Sequence, residues 1–252
     1  MKVGAQFYTL RDHCQTLAEL SESLKRVREI GYTEVQISGV CGYEAEWLRD
    51  ELKKNDLTCV LTHYSAEEIK NDPISVLNKH KTFGCTNVGI GCMPGGVTKE
   101  SVEAFLRDFK DSARILAENG GKLFYHNHHF EFAKNEEGKL ILDVLCEAFP
   151  ENQLGITLDT YWAQYGGACP TETIRRLKGR VECVHLKDMA IVNNEQRMAP
   201  VGCGNINFEK VVKACADSGT LHLLVEQDHS YGEDPFDCLR KSYEYLKSLG
   251  LN

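Results

Sequence analysis

Short apolar runs alternate with amphipathic segments along the whole chain, at intervals of roughly 30 residues, and that rhythm is the one βαβ units produce. Eight runs read as strands: Val3 to Tyr8, Glu34 to Ser38, Leu57 to His63, Asn87 to Gly91, Lys122 to His128, Leu154 to Asp159, Val181 to Lys187 and His222 to Glu226. Most are short and rich in β-branched or aromatic residues, which suit a pleated surface. Between them apolar residues recur at helical spacing, as at Leu17, Leu20, Leu24 and Val27, or at Val102, Phe105, Phe109, Ala113 and Leu116. Glycines at 31, 84, 120, 219 and 250 stand where five of the helices should stop. Eight strands and eight helices in strict alternation predict an α/β protein, a closed (β/α)8 TIM barrel forming a single domain over 1–252. A doubly wound open sheet is the alternative, but no G-x-G-x-x-G follows the first strand, which weighs against a dinucleotide-binding version of it.

Composition narrows the class. The length is near that of an eight-fold barrel, and 42% hydrophobic residues suffice for a large core. A formal net charge of −8 argues against nucleic acid as a partner, because phosphate binding needs a basic face. The chain opens MKVGAQFYTL and is already polar at Gln6, and no apolar run approaches the roughly 18 residues of a membrane span. The expectation is a cytoplasmic protein with no membrane partner. The 11 cysteines are scattered singly with no C-x-x-C pair, so they read as reduced core fillers.

The chemistry concentrates at KLFYHNHHFEF, Lys122 to Phe132. If its start is extended, a period of two puts Phe124, His126 and His128 on one face, so two imidazoles project side by side. A packed core accepts them only if something satisfies their nitrogens; a metal or a polar substrate would. In a barrel of this kind the chemistry sits at the C-terminal ends of the strands. There the sequence offers Gln6 and Tyr8, then His63, then His126 and His128 with nearby Glu131. Asp159 follows, then His185 with Lys187, and Glu226 with Asp228. Any one of these could be an ordinary strand end. Jointly they place imidazoles and carboxylates from separate strands at one rim, which is how a divalent metal is held.

FYHNHHFEF, followed by LDTYWA, VHLKDM and VEQD, resembles the sugar phosphate isomerase/epimerase superfamily, whose xylose isomerase-like TIM barrels include tagatose epimerases, inosose dehydratases and AP endonucleases. QFYTLRD at the start and PVGCGNINF before LLVEQD resemble it too, so the likeness spans nearly the whole chain. It implies a divalent metal, manganese first, with cobalt, magnesium or zinc substituting, held by His126, Asp159, His185 and Glu226. Many relatives carry Glu in strand 5 where this chain offers HNHHFE, so His128 and Glu131 are rival ligands to His126.

The resemblance also implies a sugar isomerase or epimerase acting on a monosaccharide or keto-sugar through an enediolate. Glu226 is then the base, with His128 or Glu131 as the opposite acid. His126 in place of the strand-5 glutamate puts the family's exchange between two glutamates in doubt. The alternatives are a metal-dependent lyase, of the inosose dehydratase kind or eliminating from a 3-keto-sugar, and a barrel that binds sugar without turnover. Gln6, Tyr8, His63, Trp162, Lys187 and Asp228 are the expected substrate contacts, although Lys187 could equally pair with Asp159 or Glu226. The expected partner is a small sugar, with further copies of the chain in a homo-oligomer left open. An AP endonuclease would need a basic groove that this acidic chain lacks.

Overall fold

The computed structural model describes residues 1–251. In chain order its first half comprises β1 (Lys2–Gln6), a 3₁₀ turn (Phe7–His13), α1 (Leu17–Ile30), β2 (Glu34–Ile37), α2 (Ala45–Lys54), β3 (Thr58–His63), α3 (Ala66–Asn71), α4 (Pro73–Thr82), β4 (Asn87–Ile90) and α5 (Lys99–Glu118). Then come β5 (Lys122–His126), a second 3₁₀ turn (Phe130–Phe132), α6 (Ile141–Ala148), β6 (Leu154–Asp159), α7 (Thr160–Tyr165), α8 (Pro170–Arg176), β7 (Cys183–Leu186), β8 (Asp188–Val192), β9 (Glu195–Ala199), α9 (Phe208–Ser218), β10 (His222–Val225) and α10 (Pro235–Ser248). Eight strands close into a parallel barrel in the order β1-β10-β7-β6-β5-β4-β3-β2, with Val3 registered on Leu223 where the two ends meet.

Alternation along the strands sorts side chains into two shells. Val3, Ala5, Val35, Ile37, Val184, Leu186, Leu223 and Val225 point outward into one continuous core beneath the helices. Inside the barrel Val60, Leu61, Phe124, Cys183 and Leu224 form a second, smaller cluster. Gly155 has no side chain because Phe124 fills the space, and a Cβ there would sit 2.4 Å from its ring. Two residues beyond each of Leu61, Phe124, Cys183 and Leu224 comes His63, His126, His185 or Glu226. The period of two that stacks the apolar plug thus delivers the next layer of the same face as imidazole and carboxylate.

Helix ends follow local chemistry. α1 begins with a capping box in which Thr16 accepts from the Glu19 N–H and the Glu19 side chain accepts from Thr16. The five glycines at predicted helix stops all have positive φ, from 77° at Gly120 to 127° at Gly31.

Three expectations need correction. β1 stops at Gln6 and β5 at His126, so Tyr8 and His128 lie in the following turns and not in strands. The alternation is not strict, since α3 and α4 both separate β3 from β4, and α7 and α8 both separate β6 from β7. An antiparallel hairpin, β8–β9, is inserted after β7; its turn residues Asn193 and Asn194 both have positive φ, 52° and 65°. The hairpin's base is tied by buried Asp188, whose carboxylate accepts the N–H groups of Met189, Gly202, Gly204 and Ile206 at 2.7–3.1 Å.

Candidate metal centre

His126, Asp159, His185 and Glu226 are all buried, and each offers one ligand atom within 4.8 Å of the others. Each is fixed by a neighbour. Asp159 is the N-cap of α7: its Oδ1 accepts the Trp162 N–H at 2.9 Å, which leaves Oδ2 to face His126 Nε2 at 3.4 Å. His126 Nδ1 lies 3.0 Å from the Gly91 carbonyl, which orients the ring. His185 Nε2 lies 2.7 Å from Gln36 Oε1, so Nδ1 faces Glu226 Oε2 at 2.9 Å. Gln6 Nε2 donates to Glu226 Oε1 at 2.6 Å.

Lys187 is fully buried, and its ammonium lies 2.9 Å from Asp159 Oδ2, 2.8 Å from Glu226 Oε2 and 2.9 Å from Asp228 Oδ1. A lone buried ammonium would be costly, but three carboxylates around it compensate. The Thr160 hydroxyl pins the backbone on either side, donating to the carbonyls of His185 and Lys187 and accepting the Lys187 N–H at 3.0 Å.

The charges act on one another. Burial pushes the Glu226 carboxyl up, but Lys187 and His185 outweigh burial and hold it well below the usual carboxylate range. Burial also opposes ionisation of Asp159; Lys187 and the His126 hydrogen bond bring it down. At the cluster's edge burial wins. His128 falls to about 3 through desolvation and the nearby His126, and His63 falls well below the ordinary imidazole value for the same reason, with His126 and His185 adding to it.

Other predicted residues fall around this centre to different degrees. The His63 ring is 5.3 Å from that of His126 and 5.7 Å from that of His185. His128 is 4.8 Å from His126, and the half-buried Trp162 is 5.4 Å from His128. Tyr8 is 39% exposed, with the Arg11 guanidinium 4.5 Å from its ring. Glu131 is not brought to the cluster. Its carboxylate accepts the Tyr125 hydroxyl at 2.5 Å and the His128 N–H at 2.8 Å, and Tyr125 lies on the outward face of β5. Its role is to brace the turn after β5.

Buried polar atoms without a hydrogen-bond partner gather around the centre. Among the described residues they include Gln36 Nε2, His63 Nε2, His128 Nδ1 and Thr157 Oγ1, together with His185 Nδ1 and Glu226 Oε2, which are in ion-pair contact only. Such atoms each cost about 1–3 kcal/mol unless a ligand engages them.

Residues 24–249 match the family model of the xylose isomerase-like TIM barrel. The chain belongs to this family. This xylose isomerase-like barrel is 28% identical over 152 residues to an inosose dehydratase of Clostridium botulinum (strain Alaska E43 / Type E3), covering 53% of this chain and 50% of that one. The chain spans about half the length of the curated relatives it matches. A sugar phosphate isomerase/epimerase from Parabacteroides distasonis superposes with a TM-score of 0.81 at 21% identity, covering 98% of this chain and 93% of the other. An L-ribulose 3-epimerase superposes at 0.72 and 16% identity, covering 99% and 94%. At such identities the two structures share the fold.

Gln36 and Thr160 escaped the sequence reading. Gln36 sits in E-V-Q-I-S, where Glu34, Gln36 and Ser38 share the parity that faces the barrel interior, and that alternation was a readable signal. Thr160, directly after Asp159, gave none.

Proposed function

We propose that this xylose isomerase-like barrel is a metal-dependent sugar isomerase, which removes a proton from the carbon beside a keto-sugar's carbonyl and returns it to the neighbouring carbon. The observation that carries this reading is the convergence of His126, Asp159, His185 and Glu226 at the C-terminal end of the barrel. Two imidazoles and two carboxylates, with unpartnered atoms turned inward, fit a divalent ion of intermediate hardness; manganese leads, and cobalt, magnesium and zinc accept the same donors. Such an ion supplies Lewis-acid polarisation of a carbonyl and its neighbouring hydroxyl.

The chain's own residues do the rest. Glu226 is the base: Gln6 fixes Oε1, and Oε2, in ion-pair contact with Lys187 and His185, is the oxygen left to accept a proton. Lys187 and Asp228 bracket it, and the buried ammonium can stabilise an oxygen on which negative charge develops. Asp159, Glu226 and Asp228 all converge on that one ammonium, whereas the neighbouring imidazoles are those of His63, His126, His128 and His185. One carboxylate can carry a proton between adjacent carbons on one face. Inversion at a carbon requires a second acid on the opposite face; Glu131, engaged by Tyr125, does not supply it, and burial holds His128 neutral.

The second reading is a dehydratase, in which Glu226 delivers its proton to a β-hydroxyl that leaves as water; the inosose dehydratase relatives favour it. Incubating metal-loaded protein in D2O with ketohexoses and with 2-keto-inositol, followed by NMR, separates the two. Deuterium beside the carbonyl together with interconverted sugar supports isomerisation, and an unsaturated product supports elimination. Finding neither exchange into these compounds nor an unsaturated product from them would sink both.

A further inference from the structure

Asp159 commits Oδ1 to the Trp162 N–H, and Glu226 commits Oε1 to the Gln6 amide. Each carboxylate is left with a single oxygen. Asp159 Oδ2 faces His126 Nε2 at 3.4 Å, and Glu226 Oε2 faces His185 Nδ1 at 2.9 Å, so these are the oxygens that complete the ligand set with the two imidazoles. They are also the oxygens on which the Lys187 ammonium rests, at 2.9 and 2.8 Å. A divalent ion and an ammonium therefore claim the same two atoms.

The ammonium cannot withdraw to solvent. Lys187 is buried, and the Thr160 hydroxyl fixes the backbone on both sides of it. It does have a third partner. Asp228 Oδ1 lies 2.9 Å from the ammonium, and the centre of the Trp162 ring 5.6 Å from it. Asp228 stands outside the set of four, and among the described residues Lys187 is its one ion-pair partner.

Charge leads to the same division. Imidazoles bind a metal as neutral rings, so the cluster carries three carboxylates against one ammonium, which leaves two negative charges. A divalent ion cancels them. Without Asp228 the ion and the ammonium together would exceed the carboxylates by one charge, and without Lys187 the ion would meet all three carboxylates unopposed.

Resting on the metal-dependent reading, we infer that Lys187 competes with the divalent ion for Asp159 Oδ2 and Glu226 Oε2, and that Asp228 admits the ion by retaining the ammonium. Asp228 is on this account a positioning residue: it ligates no metal, and it acts on the ion through Lys187.

Manganese affinity, read from the paramagnetic resonance of the free ion as chelated protein is titrated, tests this without recourse to turnover. Lys187→Met should bind manganese more tightly than the parent by at least about tenfold, and Asp228→Asn more weakly by a similar factor. In the Lys187→Met background the Asp228→Asn change should weaken binding by less than about threefold, because no ammonium is left to retain. If Asp228 acted only through its negative charge, the loss would be equal in both backgrounds. Melting curves give a second reading. In chelator Lys187→Met should melt below the parent, since three carboxylates have lost their cation, and saturating manganese should remove that deficit. A purely structural lysine would leave the deficit unchanged. Should Lys187→Met fail to fold, Lys187→Gln keeps a hydrogen-bond donor without the charge and enters the same titrations. Manganese binding by the parent that the lysine variant does not tighten, or equal effects of Asp228→Asn in both backgrounds, overturns the inference and leaves the metal-dependent reading intact. Failure of parent and variants alike to bind manganese, cobalt, magnesium or zinc overturns that reading, and the inference with it.

Discussion

Glu226 is asked to do two things, to hold an ion and to move a proton, and substitution separates them. Glu226→Gln keeps the size and one coordinating oxygen but removes the basicity. It should retain metal and lose turnover by at least about 100-fold, the lower end of what a positioned base contributes; turnover within a few-fold of the parent would reduce Glu226 to a ligand. Gln36 acts at one remove. Its Oε1 faces His185 Nε2 and so determines which imidazole nitrogen points at the centre. Gln36→Leu should weaken metal affinity by roughly 10–100-fold, as loss of an orienting partner commonly does, read by titrating manganese into chelated protein; unchanged affinity would mean that packing alone orients His185. Polar residues at otherwise apolar strand ends made the four residues of the centre legible as candidates among several, and the family resemblance selected them, with His128 and Glu131 as rivals to His126. Glu131 misled because the spacing in HNHHFE reports proximity in sequence, whereas the strand ends at His126 and the next residues turn Glu131 toward Tyr125.

At the scale of elements, the eight barrel strands were readable because a parallel strand covered on both faces is a short apolar run, and the helices because their buried stripe recurs at 3.6 residues. The β8–β9 hairpin was not, since a solvent-facing pair such as Ile191-Val192-Asn193-Asn194-Glu195 carries little burial signal; only its paired asparagines marked the turn. One contact between elements has a pH signature. His80 on α4 is buried with Nε2 2.7 Å from the Thr62 hydroxyl on β3 and Nδ1 2.7 Å from the Val76 carbonyl. Burial lowers its pKa to about 4 from 6.5. The unfolded chain therefore binds the proton more readily than the folded one between these values. The contribution is fully present above about pH 6.5 and is lost as pH falls toward 4, a change of roughly 3 kcal/mol. His80→Gln should flatten this part of the pH–stability curve. Urea midpoints at pH 7 and 4.5 that shift equally in both proteins would contradict the assignment.

For the molecule as a whole, the barrel concentrates its costs at one end. The helix-covered shell is continuous and apolar, whereas the interior turns from Phe124, Cys183 and Leu224 to buried charge within one further layer. Such an arrangement is stable when its charges are compensated, so an ion bound by the folded state alone should raise the melting temperature in proportion to the logarithm of its concentration. Equal melting curves with and without manganese would contradict that expectation. The most direct test is solvent exchange at the carbon beside the carbonyl of a ketose, followed by proton NMR in D2O before chelation, after it, and on return of manganese. The account predicts exchange that stops on chelation, resumes with about one equivalent of ion per chain, and fails to resume in Asp159→Ala. Exchange that persists at full rate in the chelated protein, or that Asp159→Ala carries out as well as the parent, would contradict it.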